Sequence, residues 1–217
     1  MKVVNLSEQN SVISNYLSEL RDITIQKDAM RFRYNMERCG ELMAYEISKT
    51  LHYADKEVTT PLGIASCKVI SDEIVIATIL RAGLPFHQGF LNVYDKAQSA
   101  FIASYRKYGK SNKFTIQLEY ATVPNIDGKV LIIADSMIAT GASMVLTYEK
   151  LIQYGTPSKI HIASVVGVQE GLDTLSKKFP HKATTLWIGA IDEELTNKSM
   201  IVPGIGDAGD LAYGSKN

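Results

Sequence analysis

Cysteine is scarce in this chain. The two present, Cys39 and Cys67, stand in no metal-binding or redox spacing, so two reduced thiols are expected rather than a bridge. The four histidines, His52, His87, His161 and His181, are scattered without ligand spacing, which argues against a histidine-held metal. Net charge is absent. The 23 basic residues balance 23 acidic ones, so there is no basic excess to suit nucleic acid or an anionic membrane. No apolar run reaches the length of a membrane span, and Met1-Lys-Val-Val-Asn-Leu-Ser7 has neither a long apolar core nor a small-residue cleavage site. A cytoplasmic protein is the expectation. No internal repeat or low-complexity segment occurs. The 217 residues suffice for a single α/β domain over 1–217: an N-terminal helical segment 1–60, a sheet core 61–198 and a C-terminal loop 199–217.

What is present is organised around Lys129-Val-Leu-Ile-Ile-Ala-Asp-Ser-Met-Ile-Ala-Thr-Gly-Ala-Ser143. Val130 to Ala134 is a short apolar run rich in β-branched residues, the pattern of a strand buried on both faces of a parallel sheet. Asp135 follows at once. An unpaired carboxylate has no place inside such a sheet, which puts it at the strand's carboxyl end, where open α/β sheets bind ligands. Thr140-Gly141-Ala142-Ser143 then supplies two hydroxyls, a flexible backbone and free N–H groups ahead of a helical pattern with Val145, Tyr148, Leu151 and Ile152 on one side. Backbone donors at a helix N-terminus suit a phosphate, while the acid suits hydroxyl groups or a magnesium-bound ligand. The combination describes a sugar phosphate; a capped helix with no ligand is the alternative on these residues alone. A Walker loop is excluded because no Lys follows Gly141, and a dinucleotide fingerprint because only one glycine is present.

Elsewhere the pattern is that of a parallel α/β protein. The first 55 residues read as helical, with a short amphipathic helix over Ser11 to Leu20. A longer one runs from about Asp28 to about Leu51, burying Phe32, Met36, Cys39, Met43 and Ile47. Arg31, Arg33 and Arg38 on its polar face are either a solvated or dimer-contact surface or an anion site. Thr60-Pro61-Leu62-Gly63 reads as the turn where the helical segment ends. Glu73 to Leu80 predicts a second buried strand, and Arg81 follows it directly, on the same sheet edge as Asp135; it either clamps an anion or makes a structural ion pair. Ala100 to Tyr108, which contains Arg106, predicts a strand running into a basic, glycine-containing loop, Gly109 to Lys113. Phe114 to Tyr120 alternates in polarity and suits a projecting hairpin arm. Lys159 to Val168, Gln169 to Lys178 and Thr184 to Ile191 predict a strand, helix and strand.

The last motif, Met200-Ile-Val-Pro-Gly-Ile-Gly-Asp-Ala-Gly-Asp-Leu-Ala-Tyr-Gly214, matches the letters of a dinucleotide fingerprint. The eight residues after Gly209 leave no room for the helix and second strand which that fingerprint requires. A loop whose glycines expose backbone N–H and C=O groups suits instead a flat ligand edge with alternating donors and acceptors, such as uracil; a disordered tail is the alternative.

Four of these segments resemble one family. Asp135-Ser-Met-Ile-Ala-Thr-Gly-Ala-Ser143 is similar to the 5-phosphoribosyl 1-diphosphate (PRPP) loop of type I phosphoribosyltransferases in the form used by uracil phosphoribosyltransferases, Asp-Pro-Met-Leu-Ala-Thr-Gly-Gly-Ser. Ser136 and Ala142 depart from it, the latter where the family's glycine tolerates positive φ. Ile79-Leu-Arg-Ala-Gly-Leu84 resembles the first PRPP-contacting loop. Tyr105-Arg106-Lys107 resembles the family's Tyr-Arg-Asp, with Lys107 replacing the acid. Ile201 through Asp210 is nearly the family's uracil loop, flanked by Met200 in place of Tyr and Leu211 in place of Arg.

The resemblance implies a type I phosphoribosyltransferase-like fold: a parallel sheet of about five strands flanked by helices. It carries a hood made by the N-terminal helices and the C-terminal loop, and a projecting β-arm. It implies uracil and PRPP as substrates, UMP and diphosphate as products, and pyrimidine salvage as the role. PRPP contacts would come from Arg81, Arg106, Asp135, Ser136, Met137, Ile138, Ala139, Thr140, Gly141, Ala142, Ser143 and Asp207; uracil contacts would come from Ile201, Gly206, Asp207 and Ala208. Asp135, Arg81, Arg106 and Asp207 would be the catalytic set. Mg2+ would be held mainly by PRPP, near Asp207, and a homodimer or higher homo-oligomer is implied. A catalytically weak PRPP- or UMP-binding regulator is the alternative, and an enzyme for a purine base a further one.

Overall fold

The apolar runs become the middle of a seven-stranded sheet. The computed structural model describes residues 1–108 and 114–215, and side chains outside 104–118. In chain order the elements are β1 (Lys2–Asn5), α1 (Ile13–Arg21), α2 (Ala29–Ser48), β2 (Tyr53–Thr60), β3 (Gly63–Ile70), β4 (Ile74–Leu80), α3 (Leu84–Val93), β5 (Gln98–Tyr108) and β6 (Phe114–Thr122). They continue with β7 (Val130–Ile138), α4 (Ala142–Leu151), β8 (Lys159–Val168), α5 (Gln169–Lys178), β9 (Thr184–Asp192), β10 (Glu194–Leu195), β11 (Ile201–Val202) and α6 (Ala208–Tyr213). The sheet order is β1-β9-β8-β7-β4-β5-β6, parallel throughout except for the antiparallel edge strand β6.

Alternate residues of each central strand serve two cores. Ile74 and Ile76 of β4, with Val130 and Ile132 of β7, face α1, α2 and α3 through Leu17, Met36, Phe86 and Phe90; Ile201, Ala208 and Ala212 of the C-terminal segment join the same core. This is the hood expected from the sequence. Val75, Ala77, Leu131 and Ile133 face α4 and α5 through Val145, Leu151, Leu172 and Leu175. Each fully buried large side chain of this kind contributes roughly 1.5–3 kcal/mol.

Because α3 lies on one face and α4 on the other, while β5 and β8 lie on opposite sides of the β4–β7 pair, the chain reverses its winding between β4 and β7. That is the topological switch point of an open α/β sheet, where the carboxyl ends of the strands part to leave a crevice.

Three expectations are corrected. The sheet has seven strands rather than about five, since β1 and β6 extend the edges. Lys2 to Asn5 is a strand paired parallel to Thr185–Ile188 rather than part of a helical segment, its backbone ladder outweighing its brevity. The turn at Thr60 to Gly63 is the tip of the β2–β3 hairpin, so the helical segment ends well before it. That hairpin, exposed along nearly its whole length and outside the main sheet, is a further arm not expected from the sequence. Phe114 to Tyr120 forms the expected hairpin with β5: β5 pairs with β4 only as far as Ala103, so Ser104 to Tyr108 and Phe114 to Leu118 run on past β4 as an antiparallel pair; the adjoining loop 109–113 lies outside the described residues.

Candidate active site

β7 outruns its neighbour. Its last pair with β4 is Thr78 with Ala134, whereas its pairing with β8 continues to Ile138 opposite Gly167. Asp135 is therefore the first residue of β7 beyond the β4 ladder, at the mouth of the crevice. It lies within a strand that ends at Ile138, not after one that ends at Ala134, because one-sided pairing to β8 carries the strand on. Its Oδ1 accepts the backbone N–H of Ser136 at 2.7 Å, and the Ser136 hydroxyl stands 3.5 Å away. Burial pushes the Asp135 carboxyl up to about 7, against the downward pull of these Ser136 bonds.

Beyond Asp135 the chain turns onto α5. Ile138 is buried in one core, and Met137 and Ala139 pack on the other, so the side chains of all three are taken up in packing. Gly141 takes φ +77° as the residue capping α4, and a Cβ there would lie 2.9 Å from the Gly171 carbonyl oxygen of α5. The left-handed position thus falls on Gly141, and Ala142 is the first residue of α4 in ordinary backbone. Thr140 Oγ1 lies 3.4 Å from the Ala142 N–H that donates to it. Ser143 Oγ has no hydrogen-bond partner among the described residues, and it sits with Ala142 in the first helical turn, whose N–H groups lack intrahelical acceptors.

Arg81 follows β4 on the other side of the crevice. Its Nη2 donates to Asp210 Oδ1 at 2.8 Å and its Nη1 to the Gly214 carbonyl at 3.3 Å, which ties the β4 loop to α6. The C-terminal segment thereby reaches the crevice. Ile201 and Ala208 are buried, while Gly206 (φ +77°) and Asp207 are exposed. Asp207 caps α6, its Oδ1 accepting the Asp210 N–H at 3.1 Å. Arg106 lies on β5 opposite Ile116; its side chain is outside the described residues.

The sequence reading missed the bonds that hold this loop. Arg21, at the end of α1, meets Asp192, at the end of β9, through two bonds of 3.0 and 2.6 Å. Residues 171 positions apart leave no local pattern that would announce them. The α2 arginines are engaged internally: Arg31 with Glu19, Arg33 with the Ala212 carbonyl, and Arg38 with Asn35.

A parallel sheet whose switch point brings together the glycine turn before α4, an arginine loop and a glycine-rich hood segment is that of a type I phosphoribosyltransferase. A hypoxanthine phosphoribosyltransferase of Staphylococcus aureus, 14% identical, superposes with a TM-score of 0.50 over 86% of this chain and 84% of its own, a likeness of fold alone. A solved protein structure from Aquifex aeolicus, 29% identical, superposes with a TM-score of 0.87 over 99% of both chains. The model of the uracil phosphoribosyltransferase family matches residues 7–215, and the chain belongs to that family. A uracil phosphoribosyltransferase of Porphyromonas gingivalis is 52% identical over the full length of both chains, and that of Pyrococcus furiosus is 36% identical over 95% of this chain and 88% of its own.

Proposed function

We propose that the protein transfers the phosphoribosyl group of PRPP to uracil, giving UMP and diphosphate in pyrimidine salvage. One observation carries this most directly: the Arg81–Asp210 contact at 2.8 Å joins the loop proposed for the diphosphate to the segment proposed for the base. In this reading the Thr140 and Ser143 hydroxyls and the first-turn N–H groups of α4 hold the 5′-phosphate, with Ser136 to Ala142 lining it mainly by backbone. Asp135 accepts the ribose hydroxyls. Arg81 and Arg106 draw the diphosphate away as the C1–O bond breaks, so catalysis is positioning and electrostatics. Ile201, Gly206 and Ala208 read uracil through the backbone, and Asp207 stands between base and PRPP.

Among the described residues no group of three or more His, Cys, Asp or Glu side chains is placed to hold a metal. That donor set fits a magnesium ion carried on substrate phosphates, which needs at most one or two protein carboxylates, and exposed Asp207 is one. Magnesium, when bound, would neutralise charge on the diphosphate. No helix among the described residues is long and apolar enough to cross a membrane, and a cytoplasmic location accords with the reading. The β2–β3 arm, with Leu62 100% and Ile64 73% exposed, suits burial against a second copy in a homodimer or larger oligomer.

The test is UMP formation from PRPP and uracil with magnesium, run beside hypoxanthine, guanine, adenine and cytosine. Turnover with uracil alone supports the assignment; turnover with a purine overturns the base. No turnover, with PRPP or UMP binding retained by calorimetry, would make the protein a regulator.

A further inference from the structure

The C-terminal segment is held by a clamp on a single peptide group. Asp192 is buried at the end of β9, where an unpaired carboxylate would be costly. Arg21 Nη1 and Nη2 donate to its Oδ2 and Oδ1 at 3.0 and 2.6 Å. The pair does more than satisfy itself. Asp192 Oδ2 also accepts the Gly204 N–H at 3.0 Å, and Arg21 Nη1 also donates to the Gly204 carbonyl at 3.0 Å. Both backbone groups of one loop residue are therefore fixed by charged partners, each anchored in a different element.

A second brace comes from the same end of α1. Gln26 Nε2 donates to the Leu20 and Arg21 carbonyls, at 3.1 Å each. This turns its Oε1 toward Gly206, where an added Cβ would lie 3.2 Å from it.

We propose that Arg21 and Asp192 are positioning residues for base recognition, holding Gly204 so that the backbone groups of Ile201, Gly206 and Ala208 keep the geometry that reads uracil. The inference rests on the assignment of that loop to the base. Recognition by backbone has no side-chain rotamer with which to compensate for a displaced loop, so a shift of Gly204 is passed on to its neighbours. Asp135 and the Thr140 to Ser143 turn, which carry most of the proposed PRPP contacts, are built on β7 and α4 and make no bond to this clamp.

The test compares Arg21→Lys, Asp192→Asn and Gly206→Ala by steady-state kinetics and thermal unfolding. Arg21→Lys keeps the charge but loses the fork. Arg21→Lys and Asp192→Asn should raise KM for uracil about tenfold and leave KM for PRPP within about twofold, a split that simple loss of folded protein would not produce. Parallel rises in both KM values, or a lower Tm with neither KM moved, would overturn the proposal. Gly206→Ala strains the loop directly and tests the underlying assignment. If it raises KM for uracil while Arg21→Lys does not, the clamp alone is wrong; if it leaves that KM unchanged, the base assignment fails and the proposal with it. Should Asp192→Asn not fold, Arg21→Lys carries the same comparison.

Discussion

Asp135 Oδ1 accepts the N–H of its own neighbour, Ser136, at 2.7 Å, in a strand where the family pattern has proline and no such donor. Burial drives the Asp135 carboxyl up to about 7, the Ser136 bonds oppose it, and no charged side chain contributes to the shift. Ser164 of β8 is its partner in register. Because the ionised form is the better acceptor of ribose hydroxyls, kcat/KM for PRPP should fall on the acid side with an apparent pKa near 7. Ser136→Pro removes the donor and should move that limb to higher pH, whereas Ser136→Ala keeps the N–H and should leave it nearly in place. A limb that moved down in Ser136→Pro would contradict this account of Asp135.

The same carboxyl sets a conflict between function and stability. Its folded pKa lies above the ordinary 3.8, so its stabilising contribution belongs to the protonated form and is lost as pH rises from about 4 to about 7. The full loss is on the order of 4 kcal/mol. Asp135→Asn does not titrate and still accepts the Ser136 N–H. The ligand-free variant should melt above the parent at pH 8, by a margin wider than at pH 5, while PRPP use drops by about a hundredfold or more. An equal margin at both pH values, measured by thermal unfolding, would show that Asp135 is not the group responsible.

The buried strands were legible because burial on both faces leaves an unbroken apolar run. Lys159 to Val168 and the helix Gln169 to Lys178 stand in the structure with the boundaries read from the sequence. The β2–β3 hairpin was not legible, since a hairpin exposed along almost all of its length carries no apolar alternation. β1 is four residues long and owes its strand state to β9, far along the chain. Within the candidate site, the polar residues directly after apolar runs announced Asp135, Arg81 and the Thr140 to Ser143 turn, though Asp135 proved to lie within a strand that runs on to Ile138. The supports of the C-terminal segment did not show, because Arg21 and Asp192 are ordinary charges until the fold brings them together.

Arg81 is paired with Asp210, at 2.8 Å with the two side chains 38% and 34% exposed. A pair this open contributes at most about 1 kcal/mol to stability. On the proposed function it would nevertheless compete with a diphosphate for the guanidinium. Asp210→Asn should change Tm little and lower KM for PRPP by a few fold, while Arg81→Gln should reduce kcat/KM for PRPP about a hundredfold. If Asp210→Asn raised KM for PRPP instead, Asp210 would be a partner of the substrate and not its rival.

Gly141 and Ala142 divide the demands of the turn before α4 between them. Gly141 carries the positive φ of +77° and lies against Gly171 of α5, so Gly141→Ala adds a left-handed penalty of roughly 1–2 kcal/mol to a contact of 2.9 Å with backbone oxygen. Ala142 is the first residue of α4 in a conformation any residue adopts, and restoring the family's glycine there removes only helix propensity, about 1 kcal/mol at most. Gly141→Ala should therefore lower Tm and weaken PRPP binding, measured by calorimetry, at least tenfold. Ala142→Gly should bind PRPP as the parent does. Were Ala142→Gly to abolish binding while Gly141→Ala was tolerated, the left-handed turn would sit one residue later than the backbone places it, and the N–H groups proposed for the 5′-phosphate would be the wrong ones.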